Sequence, residues 1–217
     1  DDQAVSTAKR IANPGCHASG FIALVAPLVR SGVLDPAAQL TCFSLTGYSG
    51  GGKSMIAQYE NAANQDELLA APCVYGLSQQ HKHLPEMVKM CDLEQAPIFC
   101  PTVAPYYAGM EVCVPVFASQ VAGGKAAIEQ AYEQFYASDT CGVVHFVPEA
   151  EAAEGGFLSA AAFTGRDDMQ ISVCGTDERL LLVARFDNLG KGSSGAAIQN
   201  MNLVLGVDPT LGLNVRA

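Results

Sequence analysis

The chain is poor in positive charge: 12 lysines and arginines stand against 22 aspartates and glutamates, a formal net charge of −10. An acidic chain repels phosphate backbones and anionic bilayers, which argues against nucleic acid and membrane surface as partners. No C-x-x-C pair occurs among the eight cysteines, and their irregular spacing argues against a zinc site and a compact disulfide framework. No metal is therefore expected. Cys113 and Cys174 lie inside apolar runs, so reduced, mostly buried thiols in a cytoplasmic protein are expected. The longest apolar run, Phe21 to Val29, is too short to span a bilayer and contains Pro27. Asp1-Asp2-Gln3 has neither the basic flank nor the apolar core of a signal peptide. The chain also starts without a methionine, so a segment before Asp1 is expected to have been removed. Internal repeats and low-complexity tracts are missing too. What remains is a 217-residue chain, 49% apolar, long enough to bury a full core as one large domain or two small ones.

The stretch Ile11-Ala12-Asn13-Pro14-Gly15-Cys16 sets a cysteine at the mouth of a predicted helix. Pro14-Gly15 favours a sharp change of direction. Beyond it, Phe21, Leu24, Val25 and Leu28 fall on one helical face, and Ser31-Gly32 closes the element. A thiol at a helix N-terminus meets unpaired N–H groups and the positive end of the macrodipole. Both favour thiolate, the nucleophilic form. A small buried cysteine with no chemical role is the alternative, and this stretch alone leaves both open.

A strand is predicted over Gln39 to Thr46, running into Gly47-Tyr48-Ser49-Gly50-Gly51-Gly52-Lys53-Ser54 and a helix from Met55. The segment fits the phosphate-loop pattern G-x-x-x-x-G-K-[ST], in the strand–loop–helix context that pattern requires. Read so, backbone N–H groups would cradle phosphates and Lys53 would reach the outer ones. A nucleotide hydrolase also needs an acidic residue directly after a buried parallel strand. Asp187 follows Leu180 to Ala184 only after Arg185 and Phe186. A phosphate-loop NTPase or kinase stays as the alternative.

Asn61 to Pro72 is polar, then alanine-rich, and reads as helix or loop. In His81-Lys82-His83-Leu84-Pro85-Glu86, an extended backbone would put both imidazoles on one face. Pro85 is placed to open a short helix to Met90. A carboxylate close behind a histidine can hold the imidazole in one tautomer and make it a better base. A solvated loop is the alternative, and no further ligand pair stands near for a metal. Strands are predicted over Pro97–Pro105, Gly109–Phe117 and Val143–Val147. An amphipathic helix covers Gly124–Ala137, with Ala127, Ile128, Ala131, Tyr132 and Phe135 inward. Ala150 to Gly156 reads as an acidic loop. Met169–Val173 and Arg179–Ala184 form a hairpin signal. A last helix carries apolar Ile198, Met201, Val204 and Leu205, with Ser193 or Ser194 able to cap it.

Cys16 in Asn-Pro-Gly-Cys, Ser49 to Lys53, His81-x-His83-x-Pro85-Glu86, Tyr107-x-Gly109-Met110 and the closing Asn188 to Asn202 occur in one order. That order resembles the N-acetyl-γ-glutamyl-phosphate reductase family, the NADPH-dependent enzymes of arginine biosynthesis, and looks most like its shorter variety. The resemblance spans residues 9 to 212. It implies an α/β chain of α+β type: a mixed sheet with helices on one face, like the C-terminal catalytic domain of glyceraldehyde-3-phosphate dehydrogenase, the other face often serving subunit contact. No G-x-G-x-x-G follows a strand here, so the N-terminal Rossmann domain is expected to be absent from this chain. Residues 1–187 would then be the catalytic and dimerisation domain, and 188–217 a helical segment that packs back on the missing part. The resemblance implies Cys16 as nucleophile, His83 as base and Glu86 as its orienting carboxylate. It places His81, Lys53, Ser49 and Tyr107 on the substrate, and Gly50, Asn188, Lys191, Gly192 and Asn200 on the NADP side. The implied partners are a small acyl phosphate and further copies of the chain, in a dimer or tetramer. A non-catalytic dimerisation fragment is a second alternative.

Overall fold

The computed structural model describes residues 2–61, 63, 66–137 and 142–215. Asp1, Cys141 and parts of the 61–72 stretch lie outside them. The elements run α1 (Asp2–Thr7), α2 (Cys16–Arg30), β1 (Thr41–Gly47), α3 (Gly52–Glu60), β2 (Cys73–Val74), α4 (Leu84–Cys91), β3 (Ile98–Ala104), β4 (Met110–Phe117), α5 (Gly124–Ala137), β5 (Val144–Phe146), α6 (Glu149–Ala152), β6 (Met169–Gly175), β7 (Arg179–Phe186) and α7 (Gly195–Leu205). Seven strands form one mixed sheet in the order β2-β3-β1-β4-β7-β6-β5. β1 pairs with β3 and β5 with β6 in parallel; the other pairs are antiparallel. Because β4 is antiparallel to both β1 and β7, the carboxyl ends of β1, β3 and β7 share one edge of the sheet. The N-terminus of α2 arrives there.

Alternation along the strands sends one set of side chains, such as Val112, Val114, Leu182 and Ala184, under the helices. α2 lies on β4 and β7 with α4 and α5 at its flanks. Its predicted apolar face is fully buried: Phe21, Leu24, Val25 and Leu28 expose nothing. Gly20 sets how closely the helix approaches. A Cβ there would stand 2.6 Å from Val112 Cγ2 and 2.8 Å from Phe186 Cε1. Pro27 sits inside α2 and has no N–H to offer the carbonyl four residues back. That carbonyl, Ala23 O, accepts instead from Tyr136 Oη of α5 at 2.7 Å, and Leu24 O accepts from Tyr132 Oη at 2.7 Å. The proline's missing bond thus becomes an inter-helix bond.

Several expectations are corrected. Phe135 is exposed and carries Arg30 over its ring; its neighbour Tyr136 takes the inward place. Ala150–Gly156 begins inside a short helix, α6. That helix lies on the opposite face of the sheet, where Arg185 Nη2 donates to Ala152 O at 2.9 Å. The thiols are not mostly buried: of the seven described, all free, only Cys42 and Cys91 are. Ser194 does not cap α7 with its side chain. A π-turn over Gly190–Ser194 precedes the helix, and Ser194 Oγ donates back to Leu189 O at 2.7 Å.

Gly20→Ala tests the close approach. In an open helix the change stabilises by up to about 1 kcal/mol. Here the methyl has no room, and overpacking costs about 1–3 kcal/mol. Urea unfolding is expected to show a net loss, and a gain would mean α2 can move off the sheet.

Candidate active site

A cavity of about 430 Å³ opens where α2 begins, lined by Cys16, His17, Ser49, Tyr75, His83 and Asn188 among others. Three of the four residues of Asn-Pro-Gly-Cys meet a partner from elsewhere in the fold. Asn13 Nδ2 donates to Ser193 O at 2.7 Å, and Asn13 Oδ1 accepts from Asn200 Nδ2 at 3.1 Å. Gly15 N–H donates to both carboxylate oxygens of Glu86, at 3.2 and 3.3 Å. Gly15 also lies under the His83 imidazole, so closely that a Cβ would fall 2.0 Å from Nε2. Cys16 is the first residue of α2. Gly192 closes the other side, where a Cβ would stand 3.0 Å from Cys16 Cβ.

His81 and His83 converge by another route than the expected extended strand. They sit at a turn, where His83 N–H donates to His81 Nδ1 at 3.2 Å and the ring centroids are 4.6 Å apart. Pro85 does open α4. Glu86 does not orient His83. Its carboxylate accepts from Gly15, and His83 Nδ1 is buried without a hydrogen-bond partner among the described residues. Burial, then His81 and Lys82, pushes His83 down to about 4, so the ring is neutral near pH 7 and able to accept a proton.

Cys16 departs from the expected thiolate. Burial pushes its pKa up, against the N–H groups of residues 16 and 17 and the Lys82 ammonium, which pull it down, and Glu86 adds to the rise. The magnitudes decide: a helix terminus contributes about 0.3–2 kcal/mol, whereas burial of a titratable group shifts it by up to 3–5 units. The resting pair is neutral thiol and neutral imidazole.

Ser49, Gly50, His81, Asn188 and Gly192 line the cavity; Lys53 and Tyr107 do not. Lys53 is exposed on α3, and Tyr107 packs edge-on against Tyr48. Lys82 is the lysine of the cavity wall. Asn188 is 2% exposed and holds two loops together: Gly109 N–H donates to its Oδ1 at 2.9 Å, and its Nδ2 donates to Ser49 Oγ at 3.0 Å. Lys191 bonds Gln199 at 2.8 Å and borders a second, apolar cleft of about 780 Å³ behind Pro14. Three amides of the phosphate-loop segment are already engaged. The N–H groups of Gly47, Tyr48 and Ser49 donate to the carbonyls of Gly109, Tyr106 and Tyr107 at 2.9–3.0 Å. The strand before Asp187, β7, is antiparallel to both neighbours.

Two residues of the cavity gave no signal in the sequence beyond position, His17 directly after the cysteine and Tyr75 six residues before His81. His17 is 2% exposed, with Nδ1 2.6 Å from Ser44 Oγ and Nε2 2.6 Å from Tyr75 Oη. Its ring centroid lies 5.6 Å from that of His83. Burial, then the neighbouring imidazoles, lowers it to about 3.

These histidines set an acid response. Their unfolded pKa is the ordinary 6.5 and their folded one is lower. The unfolded chain therefore binds more protons below pH 6.5. The stability is complete above that value and drains as pH falls toward 4 for His83 and 3 for His17. Each contributes at most about 1.4 kcal/mol per pH unit. Urea melts between pH 6.5 and 5 are expected to show this slope, reduced in His83→Asn; an unchanged slope in the variant would refute the assignment to His83.

Residues 16–188 match the family described as semialdehyde dehydrogenase, dimerisation domain. The chain is 42% identical over 205 residues to an N-acetyl-gamma-glutamyl-phosphate reductase of Sinorhizobium medicae, covering 93% of this chain and 66% of that one. It is 41% identical over 206 residues to the reductase of the same name from Brucella ovis, with 93% and 66% covered. The chain thus spans just under two thirds of the length of these relatives. Among solved structures it resembles a probable aspartate-semialdehyde dehydrogenase from Pseudomonas aeruginosa, with TM-score 0.66, 14% identity, 94% of this chain and 66% of that one covered. Aspartate semialdehyde dehydrogenase II from Vibrio cholerae gives TM-score 0.63 at 16% identity, covering 90% and 62%. With the mixed sheet expected for it and the cysteine at the mouth of α2, the chain belongs to the semialdehyde dehydrogenase dimerisation-domain family.

Proposed function

We propose that this chain is the thiol-bearing part of an NADPH-dependent reductase that converts N-acetyl-L-glutamyl 5-phosphate to N-acetyl-L-glutamate 5-semialdehyde in the cytoplasm, on the way to arginine. The observation that carries the reading is the Cys16–His83 pair: a thiol at a helix mouth beside a neutral imidazole that packs on Gly15. Relatives named for this reaction support the substrate.

In this reading His83 takes the proton of Cys16 as the sulfur attacks the acyl phosphate carbon. The carbon–oxygen bond to phosphate breaks, phosphate departs with that bond's electrons, and a thioester remains. Tyr75, whose side chain lines the same cavity, is a neutral donor for the carbonyl oxygen. The reductant's part is to deliver hydride to that carbon. In the glycine-rich loop after β1, the amides of Gly47, Tyr48 and Ser49 are already engaged and cannot take a pyrophosphate. Asn188, Gly192 and Gly50 line the same cavity as the thiol. As the resulting oxyanion collapses to the aldehyde and the carbon–sulfur bond breaks, His83 returns the proton it took to the leaving sulfur.

Residues 1–187 form the catalytic and dimerisation unit in this proposal. Residues 188–217 are the segment whose exposed Met201, Val204 and Leu205 cover the dinucleotide-binding part. The part of the opposite sheet face that carries Phe43 and Phe117, at 52% and 62% exposure, meets a second copy.

Incubation of the chain with N-acetylglutamyl phosphate is expected to add an acyl group to Cys16, read by intact mass and peptide mapping. Cys16→Ser should give no adduct, and His83→Asn should slow its formation on the order of a hundredfold. An adduct at another cysteine would sink the mechanism.

ATP with magnesium is expected to leave the melting temperature unchanged, because a ligand stabilises only what it binds. A clear upward shift would revive the phosphate-loop alternative.

A further inference from the structure

We propose that Ser44 and His17 are positioning residues that hold Tyr75 with its phenolic O–H turned into the Cys16 cavity. His17 lies beneath the cavity between two hydroxyls, Ser44 on Nδ1 and Tyr75 on Nε2, both at 2.6 Å. Its surroundings keep it neutral, so one ring nitrogen carries hydrogen and the other accepts.

Two proton arrangements satisfy that condition. In the first, Nδ1–H donates to Ser44, Tyr75 donates to Nε2, and the hydrogen left over is that of Ser44. Ser44 is 2% exposed, and its hydroxyl has no second hydrogen-bond partner among the described residues. A buried donor stranded in this way bears its full desolvation cost. In the second, Ser44 donates to Nδ1 and Nε2–H donates to Tyr75 Oη. The hydrogen left over is then that of Tyr75, whose side chain lines an open cavity where water or substrate can accept it. The second strands nothing, so the fold selects it.

The consequence is a direction. A serine in the middle of β1 fixes the tautomer of a histidine on α2, and that histidine occupies a lone pair of the phenol oxygen. The phenol is left as a donor only on its cavity side. Burial raises the Tyr75 pKa and charge on Cys16 raises it further, so the phenol keeps its proton and lies within electrostatic reach of the sulfur. This deepens the reading of Cys16 as the acylated thiol and rests on it for the carbonyl that the O–H meets. The tautomer itself does not depend on that reading.

The first test is nitrogen-15 NMR of the histidine-labelled 217-residue chain, His17 being assigned by the signals lost in His17→Gln. The expected result is the Nε2–H tautomer in the wild-type chain, a mixture in Ser44→Ala and recovery in Ser44→Thr. An Nδ1–H tautomer in the wild-type chain, which needs no variant to fold, overturns the proposal. So does a tautomer unmoved by Ser44→Ala. The second test uses the acyl-Cys16 thioester made with a carbon-13 carbonyl. Its infrared stretch should be lowest in the wild-type chain, shifted up in Tyr75→Phe, and shifted the same way in Ser44→Ala. A Ser44→Ala stretch equal to wild type overturns the positioning role. If Cys16 forms no thioester at all, the functional reading fails, and the tautomer still decides the proposal.

Discussion

The hydrogen bond from Gly15 N–H to the Glu86 carboxylate fixes where α2 begins, and the site depends on that point. A helix leaves its first N–H groups without partners, and something must anchor the turn that leads into them. Here the anchor comes from the first turn of α4, 71 residues away in sequence. The same glycine gives the His83 ring its place, because any side chain would fill it. One position thus joins the turn, the thiol's helix and the imidazole. Gly20, one helical turn beyond Cys16, presses the helix to the sheet, and Tyr136 and Tyr132 secure its carbonyls from the other side. The N-terminus of α2 is therefore held at both ends of its first two turns.

Burial governs the electrostatics that follow. It moves thiol and imidazole in opposite directions on the pH scale, both toward their neutral forms. A permanent thiolate would react with any electrophile that entered. In the proposed reaction a neutral pair requires proton transfer to accompany attack.

Periodicity made α2, the β6–β7 hairpin and α5 legible, because each buries one face and the apolar spacing records which one. The Cys16 turn and the histidine pair were legible as residue types that carry chemistry. Their partners were not. Asn13 reaches Ser193 across 180 positions, and Asn188 reaches Ser49 across 139, so no local pattern registers either bond. Glu86 shows the same limit. Three residues from His83 it read as the imidazole's orienting group, yet the backbone it serves lies on another element. His17 passed unnoticed because a buried histidine and an exposed one are the same letter. Its role appears only when β1 places Ser44 beneath it.

The glycine-rich segment shows why a pattern of letters needs an account of donors. Gly47 to Ser54 carries a phosphate-loop spelling between a strand and a helix, and still cannot cradle a phosphate with its first three amides. Those amides continue the sheet edge onto the carbonyls of Tyr106, Tyr107 and Gly109. Asn188 completes the join, taking the Gly109 amide and holding Ser49. The loop is thereby a rigid wall, and its glycines serve close approach: a Cβ on Gly47 would strike the Tyr107 carbonyl at 2.5 Å. What it presents to the cavity is Ser49, Gly50, Gly51, Gly52 and then Met55 of α3. That wall brings no charged side chain to the cavity, whose lysine is Lys82. The thiol, the imidazoles and the lysine of the cavity therefore stand on the side that α2 and the turn before α4 build together.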